Sequence, residues 1–197
     1  MKNLLFILFG ATCFLSFIYT INKGFDYEVK DDFKMVIKGT SNVHDWESTI
    51  ESMEGYANIE FNGEDIIQIH ECQIQIPVNS IKSSKGKRMD KKTMKALKEE
   101  EYPTINFNLK NSVKINTTDQ RFQASAIGNL SLAGVTKSIE LDLNGKVLED
   151  GKLEIQGSKA LKMTDFDIKP PTALLGTMRT GDDITIEYKI ILDKPSS

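Results

Sequence analysis

Few side chains in this sequence carry reactive chemistry. The chain has two histidines, His44 and His70, and two cysteines, Cys13 and Cys72. A metal centre would need both imidazoles to converge with carboxylates, and neither histidine has His or Glu partners at metal-ligand spacing. A Ser-His-Asp arrangement would have to draw on the same two histidines, and no G-x-S-x-G elbow occurs. There is no glycine-rich phosphate loop. Cys72 stands in an apolar run without the His/Asn pattern of a thiol nucleophile, so it reads as a small hydrophobe. His44 reads as a polar residue at a strand start, and His70 as the neighbour of a bulge. No catalysis, metal or cofactor is expected.

One charged feature stands out. Lys82 to Lys98 is dense in lysine, with Arg88 beside them and Asp90 as the one acid. Such a run is either a solvated loop and helix face or a cationic rim able to meet a phosphate or an anionic lipid surface. The whole chain has 25 Lys+Arg against 28 Asp+Glu, a net charge of −3, which gives no footprint for nucleic acid. Its 197 residues, 40% hydrophobic, suit one domain with a real core.

These features must be held by mostly β-structure. Met35 and Ile37, Ile105, Phe107 and Leu109, Ile139, Leu141 and Leu143, and Ile184, Ile186, Tyr188 and Ile190 alternate with polar residues. Period two means one dry face and one wet face, as in antiparallel sheets. Ile67 and Ile69 are odd, whereas Cys72, Ile74, Ile76 and Val78 are even, which predicts a bulge near His70-Glu71. Asn62-Gly63, Asn144-Gly145, Asp150-Gly151 and Gly181-Asp182 are expected turns. About nine strands with short connections suit a barrel or sandwich. Between them, 88–101 reads as one helix, capped by Asp90, carrying a narrow stripe of Met94, Ala96 and Leu97 and stopped by Pro103. Its lysines precede its acids, the wrong order for the helix dipole, so docking must support it.

The start is different. Leu4 to Tyr19 is almost unbroken apolar sequence after Lys2. It is short for a membrane span and fits a secretory signal, so residues 1–22 are expected to be a signal peptide or an uncleaved anchor, and 23–197 the working domain. Without Cys13 no internal disulfide could form.

Five stretches resemble the YceI-like family, described as polyisoprenoid-binding, lipocalin-like bacterial proteins. They are IKGTSNVHDW (Ile37–Trp46), the Ile74–Leu97 strand and helix start, YPTINFNL (Tyr102–Leu109), GNLSLAGVTKSIELDL (Gly128–Leu143) and TALLGTMRTGDDITIEYKI (Thr172–Ile190). Where many members read R-S-x-F-G-I, this chain has Met163-Thr164-Asp165-Phe166-Asp167-Ile168, so the Arg is gone. The resemblance implies an all-β, eight-stranded, lipocalin-like antiparallel barrel with one short helix. It implies export to the periplasm or cell envelope, near a membrane, and binding of a long isoprenoid or similar lipid without catalysis. On that reading Phe33, Met35, Ile37, Trp46, Phe107, Leu109, Leu141 and Tyr188 line the tunnel, and Arg88 and Lys91 meet the head group. The rival is a solid-cored envelope barrel acting through protein contact in stress response or adhesion. Periodicity does not separate a packed core from a hollow one, nor does it fix the oligomeric state, a dimer included.

Overall fold

The computed structural model describes residues 24–173 and 177–195, so the expected signal segment, 1–22, lies outside the described residues. The strands are β1 (Phe25–Val29), β2 (Lys34–Ser41), β3 (Trp46–Ile50), β4 (Glu54–Asn62), β5 (Asp65–Pro77) and β6 (Ile81–Ser83), then, after helix α1 (Lys87–Ala96), β7 (Thr104–Leu109), β8 (Val113–Lys114), β9 (Arg121–Leu132), β10 (Val135–Val147), β11 (Leu153–Lys162), β12 (Thr172–Ala173) and β13 (Met178–Asp193). The order β1-β4-β5-β7-β9-β10-β11-β13 returns to β1, which closes an eight-stranded antiparallel barrel. Above short breaks, β2, β3 and β6 continue β1, β4 and β5, so β13 pairs with β1 at one end and with β2 along the rest.

Alternation explains most of the inward faces, and bulges explain the exceptions. Asn58 pairs with Glu71 and Ile59 with Ile69, so His70 is the extra residue where a bulge was expected. A second bulge was not expected: Glu60 pairs with Gln68 and Phe61 with Ile66, which leaves Ile67 over. Ile66 and Ile69 are therefore buried together while Ile67 is exposed, a correction to the odd-numbered face read from the sequence. The His70 imidazole stands 2.9 Å from the Glu60 carboxylate and 3.3 Å from the Gln68 amide.

Two of the expected turns are not turns. Asn144-Gly145 lies inside β10, and Gly181-Asp182 lies in the irregular stretch of β13 between Thr180 and Ile184. The β9–β10 hairpin instead turns at Ala133-Gly134, both at positive φ.

The helix is shorter than expected. It ends at Ala96, and Lys98 at φ 53° turns the chain before Glu99, Glu100 and Glu101 could extend it into an unfavourable carboxyl-terminal charge. Gly86, not Asp90, occupies the N-cap. Asp90 is buried in the first turn, where its carboxylate accepts the Ser83 N–H at 2.7 Å and ties helix to strand. Thr104 begins the next strand after Pro103.

Candidate functional site

The barrel interior divides into a packed floor and an open bore. At the floor, Tyr27, Ile66 and Leu153 are almost wholly inaccessible, with Ile115, Phe122 and Val147 beside them. The Tyr27 and Phe61 rings stack at 5.8 Å between centroids. None of these seven residues borders the large cavity above. That cavity holds about 500 Å³ and runs from Ile59, Ile69 and Leu192 near the floor to α1 at the far end. Along it, Phe107, Leu109, Leu141, Leu143, Ile155 and Ile186 face inward yet are only half-buried, because each borders the cavity.

Glycines keep the bore open. A Cβ on Gly39 would strike the Trp46 ring, one on Gly128 the Phe107 ring, and one on Gly157 the Tyr188 ring. Each large ring thus lies against a bare stretch of the neighbouring strand instead of crossing the lumen. Trp46 is further held by its indole N–H, which donates to the Thr40 carbonyl at 3.0 Å. At the floor Phe122 covers Gly145 in the same way.

Polar groups are few and mostly at the mouth. His44, Lys85, Lys92 and Thr93 line the helix side, and Lys159 and Lys162 come from β11. No Asp or Glu is among the described residues lining the cavity. Lys92 donates to the Thr172 carbonyl at 3.1 Å. Deeper in, burial pushes the Cys72 thiol up to about 12, so it stays protonated and unreactive at neutral pH. Burial first, then the Asp142 charge and Cys72, push the Tyr188 phenol up to about 12. Among the described residues no three His, Cys, Asp or Glu converge as a metal site.

Of the residues singled out in sequence, Met35, Ile37, Trp46, Phe107, Leu109, Leu141 and Tyr188 all border the cavity. Phe33 does not. It precedes β2 and packs, half-buried, against the main apolar core of the barrel. Arg88 and Lys91 do not border it either: they are exposed, one position out of phase with Met89 and Lys92, which do. Lys159 was missed because Gln156-Gly157-Ser158 interrupts the alternation of β11. Its parity with Leu153, Ile155 and Leu161 was the available signal.

A closed antiparallel barrel with one blocked end, an apolar bore and a cationic mouth has the architecture of a small binding barrel. The chain belongs to the YceI-like family, whose domain profile matches residues 23–192. Its fold is similar to that of a polyisoprenoid binding domain from Saccharophagus degradans implicated in plant cell wall breakdown. The two share 13% identity at a TM-score of 0.66, over 86% of this chain and 98% of that one. It is also similar to BcnA of Burkholderia cenocepacia, with 15% identity and a TM-score of 0.60 over 81% and 95% of the two chains. The YceI protein of Campylobacter jejuni matches at 20% identity and a TM-score of 0.56, over 76% and 85%. No curated protein matches the chain by sequence.

Proposed function

We propose that this protein is an exported, non-catalytic carrier that holds one long apolar chain, an isoprenoid or similar lipid, inside the barrel. The observation that carries this reading is the continuous apolar cavity of about 500 Å³, blocked at the floor and reached past a rim of lysines. The polyisoprenoid-binding relative of the same fold supports it. On β13 the lining runs from Ile184 to Leu192, which is about 27 Å of strand and about 20 Å along a barrel axis tilted near 40°. An isoprene unit has four main-chain carbons and extends about 5 Å at ordinary bond lengths, so about four units fit before the chain reaches the mouth. At about 0.8 kcal/mol per buried carbon group, each unit contributes roughly 4 kcal/mol gross, and one to four units offset an association cost of about 4–15 kcal/mol.

Met35, Ile37, Trp46, Phe107, Leu109, Leu141 and Tyr188 are proposed to touch that chain. Lys85 and Lys92, with Arg88 and Lys91 on the outward side of the helix, make a positive field that draws anionic ligands or membrane surfaces toward the mouth. Leu4 to Tyr19 would direct the chain to the periplasm or envelope. Among the described residues no helix is long and apolar enough to cross a membrane.

Organic extraction of the purified protein followed by mass spectrometry tests the reading. A stoichiometric prenyl or acyl lipid is expected. A lipid-free protein that also fails to take up a fluorescent prenyl probe would overturn it.

A further inference from the structure

The barrel wall is not laced along its whole height. β10 and β11 are in register only from Asn144 opposite Gln156 to Val147 opposite Leu153. Above that, β10 pairs with β9 alone and β11 with β13 alone. Two strand edges therefore face each other across a seam with no ladder pairs. Tyr188 marks its foot: the ring covers Gly157, and the hydroxyl lies 3.5 Å from the Asp142 carbonyl of the opposite bank. The turn at Met163–Phe166 closes its head, packing with Ile139 and Leu161. Between them stand Leu141 on one bank and Lys159 on the other, both lining the cavity.

Lys159 is the anomaly. Its parity turns it inward, it is half-buried, and among the described residues no ion pair or hydrogen bond engages its ammonium. Glu140 and Asp142 have the outward parity of β10, and Glu140 accepts a hydrogen bond from Ser125 there. A cation turned into an apolar bore gives up hydration without gaining a counter-charge. Open strand edges beside it add unpaired backbone N–H donors.

We propose that the seam is a side window in which the end group of the bound chain lodges, and that this end group is an anion, carboxylate or phosphate, held by Lys159. The proposal rests on the tunnel reading and adds the position and charge of the ligand's polar end, in the wall rather than at the mouth.

Two probes of one chain length separate the ideas: cis-parinaric acid and its methyl ester, titrated by fluorescence. The protein is expected to prefer the acid by about tenfold, the scale of a charge-assisted contact. Lys159→Met should abolish the preference and leave ester binding intact, whereas Lys114→Met, which removes an exposed lysine outside the cavity lining, should leave the preference in place. An unchanged preference in Lys159→Met, or its loss in Lys114→Met, overturns the proposal. Equal binding of both probes by the unaltered protein also overturns it but leaves the tunnel standing, while binding of neither overturns the tunnel itself. Farnesyl phosphate competing with parinaric acid as well as a fatty acid does would assign the site to anions generally; competition by the fatty acid alone would restrict it to carboxylates. For position, 5-doxylstearate, whose nitroxide sits near the carboxylate, should bleach the amide signals of residues 139–142 and 157–161. Bleaching centred on residues 85–93 would place the end group at the mouth and overturn the window.

Discussion

The floor and the bore belong to one barrel and draw on the same residue types, yet one is solid and the other hollow. At the floor, Tyr27 and Phe61 from the paired strands β1 and β4 stack on each other, and aliphatic side chains close in from the surrounding strands. In the bore, Trp46, Phe107 and Tyr188 lie against glycines as Phe122 does at the floor, but among the described residues no second ring stacks on them. Apolar pattern alone thus sets which side faces in, and not whether the inside is filled. The floor gains transfer energy and dispersion contacts together, while the bore leaves its lining short of partners until a ligand supplies them. Tight packing is concentrated at one end and the cavity at the other.

Truncations should separate the ends most strongly. Tyr27→Ala or Leu153→Ala at the floor should cost about 3–5 kcal/mol in urea unfolding. Leu141→Ala or Ile186→Ala in the bore should cost about 1 kcal/mol or less, since no tight packing is lost. Equal costs would mean the bore is packed after all. Additions should reverse the pattern. Val147→Trp should destabilise the floor by about 1–3 kcal/mol or more, whereas Ile186→Trp should leave stability within about 1 kcal/mol and cut prenyl-probe uptake at least tenfold.

Alkaline titration sharpens the contrast further. Cys72 has an ordinary value of 9.0 and is pushed up to about 12 in the bore. Below pH 9 the thiol is neutral in both folded and unfolded chains, so it adds no pH dependence. Above that the unfolded chain releases its proton first, and stability falls by at most about 1.4 kcal/mol per pH unit until the folded value is reached. Cys72→Val should flatten this limb of a stability–pH curve. Tyr188→Phe should flatten a later part, from the ordinary 10.0 upward. The smallest effect is expected on the outer wall, where His70→Ala breaks the contact with Glu60 and should change stability by about 0–1 kcal/mol.

Much of this arrangement was legible in the residues. Period-two alternation gave the inward faces of β7, β10 and β13, and the switch of parity located the His70 bulge. The second bulge escaped because Ile67 and Ile69 share a parity that looks regular, and only pairing with Phe61 shows otherwise. The bore lining was readable because it needs only apolar residues of the right parity. The lysines were not: whether Lys91 or Lys92 faces the cavity depends on how α1 is rotated against the barrel, and adjacent helical positions differ by about 100°. Phe33 failed for a related reason, since the break between β1 and β2 takes it out of the strand whose alternation it shares in the sequence.

The floor has a consequence for how the molecule can be tethered. Gly24 accepts a hydrogen bond from Asn58 at 3.2 Å, and the Lys194 ammonium lies 5.4 Å from the centre of the Phe25 ring. Both ends of the described chain therefore leave from the blocked pole. Anything fastened there, whether a leash to a surface, a fused partner or a sensor chip, pulls along the axis away from the mouth. The molecule can be moored at either end of the described chain with its mouth left uncovered.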